Sequence, residues 1–180
     1  MKVEVRKFAP ALAKDFFALH STPPGECFCA FWYLKENEDW SKKTAEENRA
    51  RREELLKAGE YDGYLAYMGG KVAGWCQVGP RDRLPHLRRR MVLRPDAAVH
   101  AISCFYILPG ERRQGVAAAM LAHVLAELRK KGVRRVEAFP RRGEKLTEDD
   151  MWNGPEEMLA HAGFKVVRED AQRPVMSLDL

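Results

Sequence analysis

The pattern of apolar and polar positions is clearest in the middle of the chain. Residues 99–107 form an apolar run that predicts a buried strand. Apolar residues then recur at helical spacing, at Val116, Met120, Leu121, Val124, Leu125 and Leu128. They predict a helix over residues 114–131, with Gly132 just beyond its end. The centre of the chain is therefore a strand, a turn and a helix.

The flanking sequence predicts further strands and helices. Strands are predicted at residues 2–8, 60–68, 71–78, 133–139, 164–169 and 173–178. Helices are predicted from Pro10 to Leu19, from Ser41 to Ala58 and from Pro155 to Ala162. Residues 20–40, 79–98 and 140–154 are predicted as loops, of which 79–98 has room for a helical turn. Thr44 and Glu47 have the spacing of a capping box for the second helix.

Length and composition indicate a single domain over residues 1–180. The 180 residues are 46% hydrophobic and 32% charged, and no apolar run approaches the ~20 residues that span a bilayer. The N-terminus carries Glu4 and lacks an apolar signal segment, so a cytoplasmic protein without membrane contact is expected. In that setting the four cysteines are expected to be free thiols.

Positive charge is concentrated in clusters of arginine. The net charge is +5, and the clusters lie at residues 88–90, 134–135 and 141–142. The simplest interpretation is a solvated surface, and a second is attraction of anionic ligands. Aromatic residues are not interleaved with these charges as they are in single-strand binders. Nucleic acid is therefore not an expected partner.

A basic turn joins the central strand to the helix that follows it. The turn runs from Pro109 through Arg112 and Arg113 to Gly115 and Ala117. Exposed backbone N–H groups, the helix dipole and two guanidinium charges suit it to binding an anion. The small residues at its end let a phosphate approach the backbone closely. Neither the P-loop string nor the three-glycine dinucleotide fingerprint is present.

Two motifs resemble those of one superfamily. The spacing Arg112-x-x-Gly115-x-Ala117 is similar to the pyrophosphate-binding motif of the GNAT acyltransferases, which use acetyl-coenzyme A (acetyl-CoA). The segment from Met158 to Phe164 resembles the closing helix of that superfamily, which ends in Gly-Phe before a strand. The order of predicted elements also matches, so the resemblance covers nearly the whole chain. A poorly characterised bacterial branch is the most similar, through residues 27–33, 74–76, 104–106 and 136–140.

The resemblance implies both a fold and an activity. The fold is α/β of the α+β kind, with a mixed, mostly antiparallel, twisted sheet flanked by helices and splayed between the fourth and fifth strands. The activity is that of an N-acetyltransferase, which moves the acetyl group of acetyl-CoA to a primary amine by direct nucleophilic attack. The amine belongs to a small molecule or a protein, and a homodimer is left open. A non-catalytic acyl-CoA-binding sensor or regulatory module on the same fold is the alternative.

The same resemblance implies where the ligands bind. The N–H of Ile107 is expected near the thioester carbonyl, where it can stabilise an oxyanion. The pyrophosphate is expected against Arg112, Arg113, Gln114, Gly115, Val116, Ala117 and Ala118. The acceptor is expected near the first helices, against Phe28, Trp32 and Tyr33.

Candidate catalytic groups are fewer. Many GNAT enzymes place an acidic Tyr four residues before the Gly of the closing Gly-Phe, where this chain has Leu159. Glu137, in the strand expected to border the cleft, is the first candidate general base. Its alternative is pairing with an arginine such as Arg134. His100, at the start of the central strand, is the second candidate, with a surface histidine as the alternative.

The cysteines suggest packing rather than chemistry. Cys27 and Cys29 lack the second pair of ligands that a zinc site needs, so no metal is predicted. Their alternation with Phe31 favours one packed face of an extended segment. Cys104 could form an acyl-enzyme, but packing within a buried strand is the preferred interpretation.

Overall fold

A computed structural model describes residues 2–180, and its strands form one sheet. The strands are β1 (Val3–Lys7), β2 (Tyr64–Met68), β3 (Lys71–Pro80), β4 (Val99–Ile107), β5 (Arg135–Ala138), β6 (Lys165–Arg168) and β7 (Val175–Asp179). Their order across the sheet is β1-β2-β3-β4-β5-β7-β6. Neighbours are antiparallel except for β4 and β5, which are parallel. The expected mixed and mostly antiparallel sheet is confirmed.

The helices follow the predicted order with one addition. They are α1 (Ala13–His20), α2 (Ala45–Lys57), α3 (Pro85–Arg90), α4 (Val116–Lys130) and α5 (Glu156–His161). The added helix, α3, lies in the predicted loop 79–98, where Pro85 opens it and Leu87 is buried. The start of α2 is fixed by its capping box, because Thr44 Oγ1 accepts a hydrogen bond from Glu47 N at 3.2 Å. Within residues 2–180, no helix is long and apolar enough to cross a membrane.

The sheet buries both of its faces. Alternate residues of β2 belong to different apolar clusters, because side chains of a strand point to opposite faces. Tyr64 and Ala66 pack with the apolar face of α4, whereas Leu65 and Tyr67 pack with α1. Each fully buried large apolar side chain contributes roughly 1.5–3 kcal/mol to stability. The helices are thereby fixed against the sheet that carries the site.

The sheet opens between β4 and β5. These strands pair only over Val99 to Ile102, opposite Arg135 to Ala138. The rest of β4 continues to Ile107 without β5 beside it. The expected splay between the fourth and fifth strands is confirmed. It leaves the polar edge of one half of β4 available to other partners.

The prediction of an extended segment at residues 27–33 is wrong. Phe28 and Cys29 have left-handed backbones, with φ of 46° and 52°, and a 3-10 turn follows from Phe31 to Tyr33. The alternation of cysteines with Phe31 is therefore a property of consecutive turns rather than of a strand face. The expectation of free thiols is confirmed for all four cysteines.

Candidate functional site

A cavity of about 670 Å³ opens where β4 separates from β5. One side is formed by Cys104 to Ile107 of β4 and by the basic turn with the first residues of α4. The other side contains part of the aromatic and cysteine run and the turn at residues 148–152. The cavity thus joins the predicted anion-binding turn to the predicted acceptor region. Its volume is that of a small-molecule site.

The backbone of the basic turn has the left-handed conformations that anion-binding turns use. Arg113 has a φ of 60° and Gly115 a φ of 78°, and Gly115 is the N-cap of α4. Among residues 2–180, no side chain caps this N-terminus, so the first N–H groups of α4 stay available for an anion. Most predicted cofactor residues line the cavity, namely Ile107, Arg112, Arg113, Gly115, Val116, Ala117 and Ala118. Gln114 does not line it, and its amide donates to Gly110 O at 3.1 Å.

Carboxylates already neutralise both arginines of the basic turn. Asp149 Oδ1 lies 2.6 Å from Arg112 Nη2, and Glu148 Oε1 accepts from Arg113 Nε at 2.6 Å. The hydrogen bond and charge of Arg113 lower the pKa of the Glu148 carboxyl. Both carboxylates belong to the acidic turn, as we call residues 147–152, which continues from the cap Thr147 to Trp152. Patterns in the sequence do not indicate this pairing, because it joins residues 35 and 37 positions apart.

The free edge of β4 presents its backbone to the cavity. Leu108 N donates to Ala73 O at 3.0 Å, so the neighbouring pair of Ile107 and Gly74 is a non-hydrogen-bonded pair of the antiparallel ladder. The N–H of Ile107 therefore points away from β3, toward the cleft. Arg112 Nε donates to the carbonyl oxygen of Ile107 on that edge at 3.2 Å.

Earlier in β4, at Ser103 and Phe105, the same edge is hydrogen-bonded to side chains and to the acidic turn. Phe105 N donates to Trp152 O at 2.5 Å. The carbonyl oxygen of Ser103 accepts from Trp32 Nε1 at 3.0 Å and from Asn153 Nδ2 at 2.8 Å. These contacts replace the missing partner strand and satisfy polar groups that would otherwise be buried without partners.

Aromatic side chains form the wall opposite α4. The rings of Phe31 and Trp40 lie 5.2 Å apart, and the ring of Trp152 lies 5.7 Å from Phe31 and 5.5 Å from Trp32. All of them line the cavity. Such edge-to-face and tilted pairs make a stable apolar surface. The sequence run pointed to this wall but missed Trp40 and Trp152, which lie outside it.

Two predicted acceptor residues are placed elsewhere. Phe28 is buried against Phe17, with ring centres 6.1 Å apart. Tyr33 is buried, and its hydroxyl accepts a hydrogen bond from Gln77 Nε2 at 2.9 Å. Neither is among the residues that line the cavity. Of the three predicted residues, only Trp32 lines it.

The two candidate bases also lie outside the cavity wall. Glu137 Oε2 forms a buried ion pair with Arg81 Nη1 at 2.6 Å. Pairing with an arginine was the alternative for Glu137, and the partner is Arg81 rather than Arg134. His100 is half-buried at the start of β4, and burial lowers its pKa. The geometry therefore does not support either residue as the base.

The closing helix carries no acid into the cavity. Leu159 is fully buried in the core between α5 and the sheet, and Met158 lines the cavity instead. The only tyrosine among the lining residues that the structure describes is Tyr106, whose hydroxyl donates to Thr22 O at 2.9 Å. Burial raises the pKa of this phenol.

The splayed sheet and the basic turn match the arrangement that the sequence resemblance implies, and comparison with known proteins identifies the family. The sequence matches the Acetyltransferase (GNAT) family over residues 13–145. The chain belongs to this family. A search of curated proteins finds no significant match.

Solved structures share the fold at low sequence identity. The PaiA N-acetyltransferase from Thermoplasma acidophilum, in complex with coenzyme A, has a TM-score of 0.61 at 15% identity over 100% of both chains. An N-acetyltransferase from Staphylococcus aureus Mu50 has a TM-score of 0.60 at 16% identity over 99% of both chains. The ribosomal-protein-S18-alanine N-acetyltransferase from Escherichia coli has a TM-score of 0.56 at 13% identity, over 99% of this chain and 94% of that chain. At such identities the likeness concerns the fold.

Proposed function

We propose that the protein transfers the acetyl group of acetyl-CoA to a primary amine by direct nucleophilic attack. The observation that carries the proposal is the single cavity that joins the uncapped N-terminus of α4, the free edge of β4 and an aromatic wall. A cofactor site and an acceptor site are thereby contiguous, as direct transfer requires.

The residues of the basic turn fit the pyrophosphate of coenzyme A. Left-handed Arg113 and Gly115 curve the backbone, and the first N–H groups of α4 have no cap from any side chain that the structure describes. A Cβ at Gly115 would meet no atom within 4 Å, so the space beside this residue is open. Arg112 and Arg113 supply two positive charges once Glu148 and Asp149 release them. When bound, acetyl-CoA supplies the acetyl group as an activated thioester.

The chain contributes positioning, a hydrogen-bond donor and desolvation. The N–H of Ile107 faces the cleft and can donate to a carbonyl oxygen that gains negative charge. Burial in the cavity removes water from a bound amine, and this desolvation lowers the pKa of the amine and favours the neutral nucleophile. Neither of these contributions needs a side-chain base.

One observation supports a second candidate function, that of a non-catalytic acyl-CoA sensor. Leu159 is fully buried where many relatives carry a tyrosine, so no phenol on α5 can protonate a leaving thiolate. A sensor needs the cofactor site but no such acid.

The two candidates differ in thiol release. The full-length protein with saturating acetyl-CoA is offered a panel of small primary amines and of peptides with a free N-terminus. Thiol release with a matching acetylated product, identified by mass spectrometry, supports transfer. Saturable binding of acetyl-CoA without thiol release for any amine supports the sensor, and absence of binding contradicts both.

A further inference from the structure

One part of the cavity is lined by rings and thiols. It comprises the aromatic wall, formed by Phe31, Trp32, Trp40 and Trp152, together with Pro24, Cys27 and Cys29. We call these residues the apolar end of the cavity. Among the residues that the structure describes, no Lys, Arg, His, Asp or Glu belongs to it. A ligand at this end is therefore recognised through apolar contact.

Charged side chains line the cavity only at the basic turn and at the part of the acidic turn that pairs with it, within residues 2–180. They are Glu111, Arg112, Arg113, Glu148 and Asp149. Both arginines form ion pairs with the acidic turn, and Glu111 Oε2 accepts a hydrogen bond from Gln114 Nε2 at 3.3 Å. A charged group at the apolar end consequently has no ionic partner there, and its desolvation is not offset.

Two guanidinium groups lie over rings of the aromatic wall from outside the cavity. The Cζ of Arg90 is 5.9 Å from the ring centre of Phe31. The Cζ of Arg173 is 5.7 Å from the ring centre of Trp152 and 6.0 Å from that of Trp32. Neither arginine is among the lining residues. A second cation on such a ring is disfavoured because the two charges repel each other across it, so the wall suits a neutral apolar group.

The aromatic wall is partly exposed and held in place. Phe31, Trp40 and Trp152 are each only partly buried, so some of their apolar surface is left for a ligand to cover. Trp32 is buried, and its Nε1 donates to Ser103 O at 3.0 Å. Rings that are fixed before binding lose little conformational entropy when a ligand packs on them.

The free edge of β4 connects the wall to the expected position of the thioester. Trp152 O accepts a hydrogen bond from Phe105 N on that edge, and the N–H of Ile107 faces the cleft two residues further along. Two residues of a strand span roughly 7 Å. That separation suits a ring and an amine that are joined by a short linker.

We propose that the acceptor is a primary amine with an aromatic or bulky apolar body and no further charge, a substrate class that rests on the transfer function proposed above. Its body lies against the aromatic wall, and its nitrogen reaches the thioester carbon beside Ile107. A C–N bond forms and the C–S bond breaks. The sulfur leaves as the thiol with the proton that the nitrogen loses.

The test compares kcat/KM for matched amines, measured as thiol release at saturating acetyl-CoA. Phenethylamine is the reference; ethylamine lacks the ring, phenylalanine adds a carboxylate, phenylalaninol keeps that branch without the charge, and putrescine carries a second ammonium ion. Loss of the ring should lower kcat/KM at least roughly tenfold, and the carboxylate should lower it at least roughly a hundredfold relative to phenylalaninol. Putrescine should react as poorly as ethylamine. Ethylamine, phenylalanine or putrescine reacting as fast as phenethylamine would overturn the proposal.

Trp40 provides the matching change in the protein. Trp40→Ala should lower the ratio of kcat/KM for phenethylamine to that for ethylamine by roughly tenfold, and Trp40→Phe should restore much of it. Phe17→Ala truncates a partly buried ring that does not line the cavity, so this control should keep the wild-type ratio. The ratio does not depend on how much of a variant is folded. A wild-type ratio in Trp40→Ala would contradict a role of the wall in recognising the acceptor.

A binding experiment separates failure of the substrate class from failure of transfer. Phenethylamine and phenylalanine are titrated into the protein saturated with coenzyme A, which has no acetyl group to transfer, and tryptophan fluorescence is followed. Should no amine release thiol, phenethylamine that binds at least roughly tenfold more tightly than phenylalanine would reject transfer alone and support the apolar site. Equal binding of the two, or none, would reject the apolar site as well.

Discussion

Asp149 Oδ1 lies 2.6 Å from Arg112 Nη2, so a carboxylate of the acidic turn forms an ion pair with a guanidinium of the basic turn. Glu148 forms an equivalent ion pair with Arg113. A phosphate needs these donors, and the acidic turn also holds the β4 edge through the contact of Trp152 O with Phe105 N. The acidic turn and an anionic ligand therefore compete for one set of partners.

Removing the two carboxylate charges is expected to tighten binding of coenzyme A. Exposed ion pairs are worth about 0.2–1 kcal/mol each, so the double variant Glu148→Gln, Asp149→Asn should lower the Kd by roughly two- to thirtyfold. Isothermal titration calorimetry measures the effect. Glu144→Gln, an exposed change just before the acidic turn, should leave the Kd unchanged. Equal or weaker binding by the double variant would show that no competition exists.

Glu137 is expected to matter for stability and not for chemistry. Glu137→Gln leaves the buried charge of Arg81 without its anion, which should lower the free energy of unfolding by about 3 kcal/mol. Because Glu137 does not line the cavity, kcat of the folded variant should stay within about twofold of the wild type. Urea unfolding and steady-state kinetics measure the two quantities.

The double variant Arg81→Met, Glu137→Leu is the control for that experiment. Replacing both members of a buried pair by apolar residues is often close to neutral, so much of the lost stability should return. A large fall of kcat in Glu137→Gln at a temperature where it is fully folded would assign Glu137 a role that its position does not explain.

Periodicity predicted most of the fold because each element buries one face. The bounds of β4 coincide with the predicted strand, and the apolar spacing of α4 is the set of residues that is buried. The turn at Phe28 and Cys29 could not be read in this way. Its left-handed backbone is held by Arg52, which lies more than 20 residues away, at separations of 24 and 23 positions.

The site was predictable only where local sequence builds it. The basic turn combines strand, turn and helix N-terminus in one short segment, and its residues line the cavity. The acidic turn was predicted only as a polar loop, since its ion pairs connect residues far apart in the chain. The periodicity of β5 does not predict the ion pair between Glu137 and Arg81, because Arg81 lies 56 positions earlier in the chain.

Introducing a tyrosine at position 159 of the closing helix is expected to lower the stability of the protein. Leu159 is fully buried in the core, so Leu159→Tyr inserts a larger ring and a hydroxyl without a partner. Overpacking of this kind costs roughly 1–3 kcal/mol, whereas the volume-conserving Leu159→Met should cost less than about 1.5 kcal/mol. Thermal or urea unfolding compares the two. Wild-type stability together with faster thiol release in Leu159→Tyr would show that the phenol reaches the cavity.

His20 should make stability depend on pH. Burial lowers its pKa to about 3 in the folded protein, against 6.5 for an unperturbed histidine, and Nδ1 hydrogen-bonds to Phe16 O. Below pH 6.5, His20 binds a proton in the unfolded chain but not in the folded chain. The free energy of unfolding therefore falls as the pH falls. His20 contributes about 1.4 kcal/mol per pH unit to this fall in the free energy of unfolding.

The slope is measured by urea unfolding between pH 6.5 and 5. His20→Gln should be less steep than the wild type by about that amount per pH unit. Equal slopes for His20→Gln and the wild type would mean that His20 is protonated in the folded state.

Calorimetric titration with acetyl-CoA tests the central claim most directly, namely that the basic turn binds the pyrophosphate. The variant Arg113→Glu, Gly115→Glu adds two negative charges at this turn, and Arg129→Glu adds one at the far, exposed end of the same helix. Charge-assisted hydrogen bonds are worth about 1.5–3 kcal/mol, so the double variant should bind roughly ten- to a hundredfold more weakly or not at all. Arg129→Glu should bind like the wild type. A folded double variant that binds acetyl-CoA as tightly as the wild type would contradict the account.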